Sequence, residues 1–156
     1  MNQVVKGAAM NTPTEDQHHE LDKVRPSVGV GAMVIRDGQI LLGRRIGFHG
    51  AGTYGWPGGG LEFGESLEEA AAREVRQESG LTVAGVELIC VSNIREYDRH
   101  YIDFEFLVEA TGEPKVLEPD RCESWEWFSL DSLPSPLFRP VEIGLSSYRT
   151  GRLYNP

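Results

Sequence analysis

Apolar residues follow a period of two over most of this chain and a helical period over one central stretch. Residues 28–35 (VGVGAMVI) read as a strand, Asp37-Gly38 as a strong hairpin turn, and residues 39–45 as the partner strand. A glycine-rich loop over residues 47–55 leads to the short segment Tyr54-Gly-Trp-Pro57. Residues 83–94 and 100–110 read as two long strands joined by a polar turn at 95–99. In the second of these, Tyr101, Asp103 and Glu105 alternate with Ile102, Phe104 and Phe106, which predicts a sheet with one wetter face. Residues 123–129 (ESWEWFS) read as a further short strand. Prolines punctuate 133–140, and residues 141–149 are a candidate last helix. Residues 1–24 are polar, lack periodicity and contain His18 and His19, so a flexible extension is expected before one domain over residues 25–156.

The helical stretch begins at Ser66. With Glu69 three residues on, it forms a capping box, and the pattern runs to about Ser79 with Gly80 as its stop. At roughly 100° per residue, Leu67, Ala70, Ala71, Glu74, Gln77 and Glu78 share one side, while Glu69, Ala72, Arg73 and Arg76 point elsewhere. Strands on both sides of this helix, and a second helix near the end, predict an α/β fold with a mixed sheet sandwiched by helices.

Glu74 and Glu78 are spaced i, i+4, so their carboxylates are neighbours on the side that a helix ordinarily buries. Two like charges there repel and lose hydration unless a cation sits between them. Oxygen ligands of this kind suit Mg²⁺ or Mn²⁺. The rest of the composition narrows the partners. A length of 156 residues suits one domain, and 40% hydrophobic with 25% charged residues suits a globular protein. A net charge of −9 argues against general nucleic-acid binding, and no apolar run approaches a membrane span. Cys90 and Cys122 form neither a CxxC pair nor a disulfide framework, which suits reduced thiols in a cytoplasmic protein.

Residues 59–81 (GGLEFGESLEEAAAREVRQESGL) resemble the Nudix box, the signature of the Nudix hydrolase family. Its fixed positions fall on Gly59, Glu65, Arg73, Glu74, Val75, Glu78, Gly80 and Leu81. One position departs: Gln77 stands where the family has the first glutamate of a pair. The resemblance covers about residues 26–140 and implies an α/β/α sandwich. It also implies a metal site holding the Gly58 carbonyl, Glu74, Gln77 and Glu78, with Mg²⁺ as the cofactor and Mn²⁺ as a substitute. Glu65 and Arg73 are expected to pair and to orient the loop against the helix. Gly58, Gly59 and Gly60 would let the backbone approach metal or phosphate closely.

The chemistry implied is hydrolysis of a nucleoside diphosphate linked to another group, because divalent metals screen the phosphoryl oxygens that repel a nucleophile. An uncharged Gln77 lowers the charge of the site by one. It points to compensation by another carboxylate or to a reduced site, ahead of a binding protein without turnover. The family often has a glutamate in the loop before the last strand, which makes Glu118 and Glu123 the candidate general bases, and Glu118 is preferred. Of Arg44 and Arg45, either of which could grip a phosphate, the resemblance to related purine-nucleotide enzymes favours Arg45. Tyr54, Trp56, Trp125 and Trp127 are candidates for base stacking, although aromatics at strand spacing are more often core.

Residues 50–55 match GxGxxG as text, but the Trp56-Pro57 that follows forbids the helix a dinucleotide site requires. Segments around residues 25–31, LLGRR, WPGGGLEFGES and EPDRCESWEW resemble a subgroup that hydrolyses nucleoside triphosphates, including modified purine nucleotides. The expected products are the monophosphate and pyrophosphate. ADP-ribose hydrolysis is the alternative within the family, and nucleotide binding without catalysis the alternative outside it. The expected partner is a small nucleotide, and the family's frequent dimers admit a homodimer.

Overall fold

Two-residue turns set the strand pairing. The computed structural model describes residues 25–47 and 49–156, and the extension expected over residues 1–24 lies outside the described residues. Strand β1 (Ser27–Arg36) turns into β2 (Gln39–Arg45) through Asp37 and Gly38, both at positive φ. That backbone twist matches the twist of the flanking strands. Strands β5 (Thr82–Glu96) and β6 (Arg99–Thr111) meet in the same way at Tyr97 and Asp98, with φ 57° and 56°. The turn is therefore tighter than the polar stretch 95–99 suggested, and both strands run further.

The remaining elements are β3 (Tyr54–Gly55), β4 (Gly58–Gly60), α1 (Leu67–Ser79), β7 (Cys122–Ser129), α2 (Arg139–Thr150) and β8 (Tyr154–Asn155). They build one mixed sheet in the order β3-β2-β1-β6-β5-β8, with β4 paired to β1 and β7 to β2. Strands β1 and β6 are parallel, with Val30 opposite Phe104 and Gly31 opposite Glu105. The other β1 pairings, to β2 and to β4, are antiparallel.

Alternation along β1 explains the two layers of helix. Val30, Ala32 and Val34 pack with Ala70, Ala71 and Val75 of α1, together with Phe106 and Val108. Met33 joins Ile40 and Leu42 of β2 against Val141 and Leu145 of α2. Each such aliphatic side chain contributes about 1.5–3 kcal/mol when removed from water, so both helices are held chiefly by the sheet. The α/β sandwich expected from the sequence is the architecture observed. No helix among the described residues is long and apolar enough to cross a membrane. Cys90 and Cys122 are buried free thiols.

Several expectations need correction. Gly58, Gly59 and Gly60, for which the sequence predicted no strand, form one, paired with Gly60 opposite Gly29 and Gly58 opposite Gly31. A Cβ on Gly58 would lie 2.6 Å from the Val30 carbonyl oxygen, so these backbones approach more closely than side chains permit. Helix α2 begins two residues earlier than expected, with Pro140 in its first turn, where a missing N–H costs nothing. Nor is the acidic face of β6 wet. Asp103 is 9% exposed and Glu105 only 1%.

Candidate active site

Helix α1 starts where it does because Ser66 accepts the Glu69 N–H at 3.2 Å, while Glu69 accepts the Ser66 N–H at 2.7 Å. It stops at Gly80, whose φ of 71° closes a bond from its N–H to the Arg76 carbonyl. With both ends fixed, Glu74, Gln77 and Glu78 face one cavity of roughly 1280 Å³. Gly58 and Gly59 of β4, Arg45 of β2 and Glu118 of the loop before β7 line it as well. Residues far apart in the sequence are thus brought together.

Glu74 is 5% exposed, and burial raises its carboxyl pKa although Arg73 opposes the shift through a 2.6 Å contact. A Cβ on Gly59 would overlap the Glu74 carboxylate, so only glycine leaves room for it. Glu78 accepts the Gly58 N–H at 3.2 Å. Burial, with help from the charges of Glu74 and Glu118, pushes its carboxyl up to about 8. Glu118 Oε2 lies 3.6 Å from the Arg121 guanidinium, an ion pair too long for a hydrogen bond, and is buried with no hydrogen-bond partner among the described residues. Glu123, the other candidate base, faces away and pairs with Arg44 at 2.8 Å, both half-exposed.

Arg73 was expected to point away from this side, but its long side chain bends back to it. Its guanidinium donates to both Glu65 oxygens, at 3.0 and 2.7 Å, and to the Gly60 carbonyl at 2.9 Å. The fork ties the loop over residues 60–65 to the helix, and holds the Glu65 carboxyl down to about 2. A third arm reaches the Gln77 amide oxygen at 3.3 Å. Gln77 itself is exposed at the cavity rim.

Arg45 is different. Its Nε donates to the His49 carbonyl at 2.9 Å and its guanidinium lies 4.0 Å over the Phe138 ring. Burial lowers its pKa, and no ion pair to it forms among the described residues. A cation held this way is open to an anionic ligand.

The aromatic candidates separate. Trp127 packs in the α1-side core beneath Arg36, and Tyr54 meets Phe128 edge-on at 5.6 Å. Trp56 and Trp125 do line the cavity, the latter donating its indole N–H to the Glu78 carbonyl at 3.0 Å. Sequence reasoning missed Tyr97 and Phe138, which stack at 5.5 Å on the same cavity, and the buried acids Asp103 and Glu105. The first two lie in a turn and a proline-rich stretch, where no periodicity marks a site. The pairing of Asp103 and Glu105 with Gly29 and Gly31 was the available signal for the acids, but it needs the β1–β6 register to be seen.

A divalent cation suits this donor set. Among the described residues no three acidic or imidazole groups form a ready-made cage, since Arg73 holds Glu74. Glu118 nonetheless raises the proton affinity of Glu74, Glu74 and Glu118 together raise that of Glu78, and Glu118 Oε2 has no hydrogen-bond partner among the described residues. Hard anionic oxygens left in that state suit a hard divalent cation. The GxGxxG text at residues 50–55 opens no helix, because β3 and β4 follow it.

Residues 25–146 match the NUDIX domain family. The chain is 32% identical over 122 residues to the ADP-ribose pyrophosphatase of Methanocaldococcus jannaschii, a match covering 77% of this chain and 72% of that protein. It is 34% identical over 105 residues to the oxidized purine nucleoside triphosphate hydrolase of Danio rerio, covering 65% of each. Among solved structures, a MutT NUDIX hydrolase from Burkholderia pseudomallei aligns with a TM-score of 0.75 at 39% identity, over 79% of this chain and 98% of the other. With the box folded as loop and helix against one cavity, and the family match spanning most of the sequence, the chain belongs to the Nudix hydrolase family.

Proposed function

We propose that this protein hydrolyses nucleoside triphosphates, modified purine nucleotides among them, to the monophosphate and pyrophosphate, with residues 25–156 as the catalytic domain. The observation that carries this reading is the meeting of Glu74, Glu78 and Glu118 in one cavity beside the Arg45 guanidinium, which has no acidic partner among the described residues. Acidic oxygens at one end and a buried cation nearby match a metal-bound polyphosphate better than a neutral ligand.

Glu74, Glu78, Glu118 and the Gly58 carbonyl would hold Mg²⁺, or Mn²⁺ in its place, with Gln77 as a neutral donor at the rim. When bound, the cation supplies charge screening of the phosphoryl oxygens. Arg45 grips a phosphate, and the glycines of β4 let the chain approach without side-chain obstruction. Arg73 and Glu65 act by position, tying the loop over residues 60–65 to α1. Hydrolysis forms one P–O bond from water, breaks one bridging P–O bond and frees a proton. Glu118, whose Oε2 has no hydrogen-bond partner among the described residues, receives that proton.

ADP-ribose hydrolysis is the second reading, favoured by the Methanocaldococcus relative. Purified protein assayed with Mg²⁺ and with Mn²⁺ against nucleoside triphosphates and ADP-ribose separates the two. The expected result is pyrophosphate release from triphosphates, lowered by on the order of a hundredfold or more in Glu78→Gln. Tight nucleotide binding with no product on long incubation would sink the enzyme reading.

A further inference from the structure

Asp103 and Glu105 lie on the α2 side of the sheet, in the same cavity as Arg45 and distinct from the three carboxylates that α1 and the Glu118 loop supply. They stand opposite Gly29 and Gly31 in the parallel register of β1 and β6. A Cβ at Gly29 would overlap the Asp103 carboxylate, and one at Gly31 would overlap that of Glu105. Two glycines at alternate positions of a central strand are costly to that strand, yet here they make the space that two acids occupy.

Burial without partners is the second observation. Glu105 is 1% exposed, and neither of its oxygens has a hydrogen-bond partner among the described residues. The Trp56 indole N–H lies beside it, but outside hydrogen-bond geometry. Burial and the neighbouring Asp103 charge raise the Glu105 pKa well above the ordinary carboxyl range. Asp103 is the more exposed of the two; burial raises its pKa as well, opposed by the adjoining Glu105 carboxyl and by the positive charge of Arg45. One proton shared by the pair and held on Glu105 gives Glu105 a donor toward Asp103 and leaves an Asp103 oxygen as an acceptor lining the cavity. The oxygens without a partner are those of Glu105, and an Asp103 oxygen left as an acceptor in the same cavity can take its donor from a ligand.

We propose that Asp103, backed by Glu105, reads the base of the substrate, and that it selects a purine presenting an imino N–H beside an exocyclic amino group, as guanine does. The proposal rests on reading the site as a nucleotide hydrolase. Two adjacent donors match the two oxygens of one carboxylate. Hypoxanthine offers only the imino N–H. Adenine turns an unprotonated ring nitrogen to the acid, so its lone pair meets negative charge. The cavity also holds the stacked pair Tyr97 and Phe138, an apolar wall suited to a base.

Titration calorimetry with GMP, IMP and AMP tests the proposal without requiring turnover, and GTP, ITP and ATP hydrolysis is measured alongside. The wild-type protein is expected to bind GMP about tenfold or more tightly than IMP or AMP. Asp103→Asn, which turns an N–H₂ toward the base, should remove that preference and change AMP affinity by less than about threefold. Glu105→Gln should weaken the preference in the same direction. Wild-type protein that ranks the three monophosphates equally overturns the proposal even if the variants fail to fold. Folded variants that keep the wild-type ranking overturn it too, since the acids are then structural. Selective GMP binding with no triphosphate hydrolysed would defeat the hydrolase reading and leave base recognition standing. Equal hydrolysis of all three triphosphates would do the reverse.

Discussion

At Gln77 an amide replaces a carboxylate beside Glu74 and Glu78, and the difference is one unit of negative charge. Its oxygen accepts from Arg73 at 3.3 Å, the longest of that guanidinium's hydrogen bonds, so the amide is only loosely committed. Restoring a carboxylate with Gln77→Glu adds an anionic ligand at the cavity rim, where Arg73 offsets part of the added repulsion. The Mg²⁺ concentration giving half-maximal activity should fall on the order of tenfold, because ligand charge count sets affinity for hard cations. A metal titration of activity measures this, and an unchanged midpoint would place residue 77 outside the metal's reach. The residues of this helix are legible in the sequence because i, i+4 spacing alone makes Glu74 and Glu78 neighbours. The same spacing does not locate the Arg73 guanidinium. Its Cα direction does point away, but a flexible side chain reaches around a helix in a way that periodicity does not register.

Among the elements, α1 carries most of the chemistry, and its placement depends on its ends. The capping box satisfies two orphan N–H groups at the start of the helix, one from each partner. Ser66→Ala removes one of them and should cost about 1 kcal/mol. For a domain of this size that lowers Tm by a few degrees, which thermal unfolding followed by circular dichroism would register. No change in Tm would mean that packing of Ala70, Ala71 and Val75 alone fixes the helix start. Caps are local, so the bounds of α1 are readable from the residues at its two ends. Strand β4 is not. Glycine has poor strand propensity, and Gly58, Gly59 and Gly60 form a strand only because Gly29 and Gly31 face them without side chains. The acids of β6 escape for the same kind of reason. Alternation correctly separates their face from that of Phe104 and Phe106. Whether a face meets water or a buried cavity depends on what α2 and Trp56 place against it, and no local pattern encodes that.

For the whole molecule, the carboxyls divide into two groups that pull stability in opposite directions with pH. Glu65 is held down to about 2 by Arg73, so its contribution is present above the ordinary carboxyl range and is lost as pH falls through 2. Glu78 is pushed up to about 8, and Glu74 and Glu105 are raised as well. Between their ordinary values near 4.5 and the raised ones, the folded protein keeps protons that the unfolded chain has released. Stability must therefore fall as pH rises through that window, and level off above it. A divalent cation at Glu74, Glu78 and Glu118 takes over the role of those protons and binds only the folded form, so it stabilises most at the alkaline end. With a chelator present, Tm should peak near pH 5 and decline steadily to pH 8. Saturating Mg²⁺ should flatten that decline. It should not abolish it, because Asp103 and Glu105 lie outside the proposed metal site and keep their own dependence. Glu78→Gln separates the two parts: it should weaken the slope in chelator and remove much of the Mg²⁺ effect. A Tm profile over pH 5–9 that is the same with chelator and with Mg²⁺ would show that these acids are not brought together by a metal, and their burial would then need another cause.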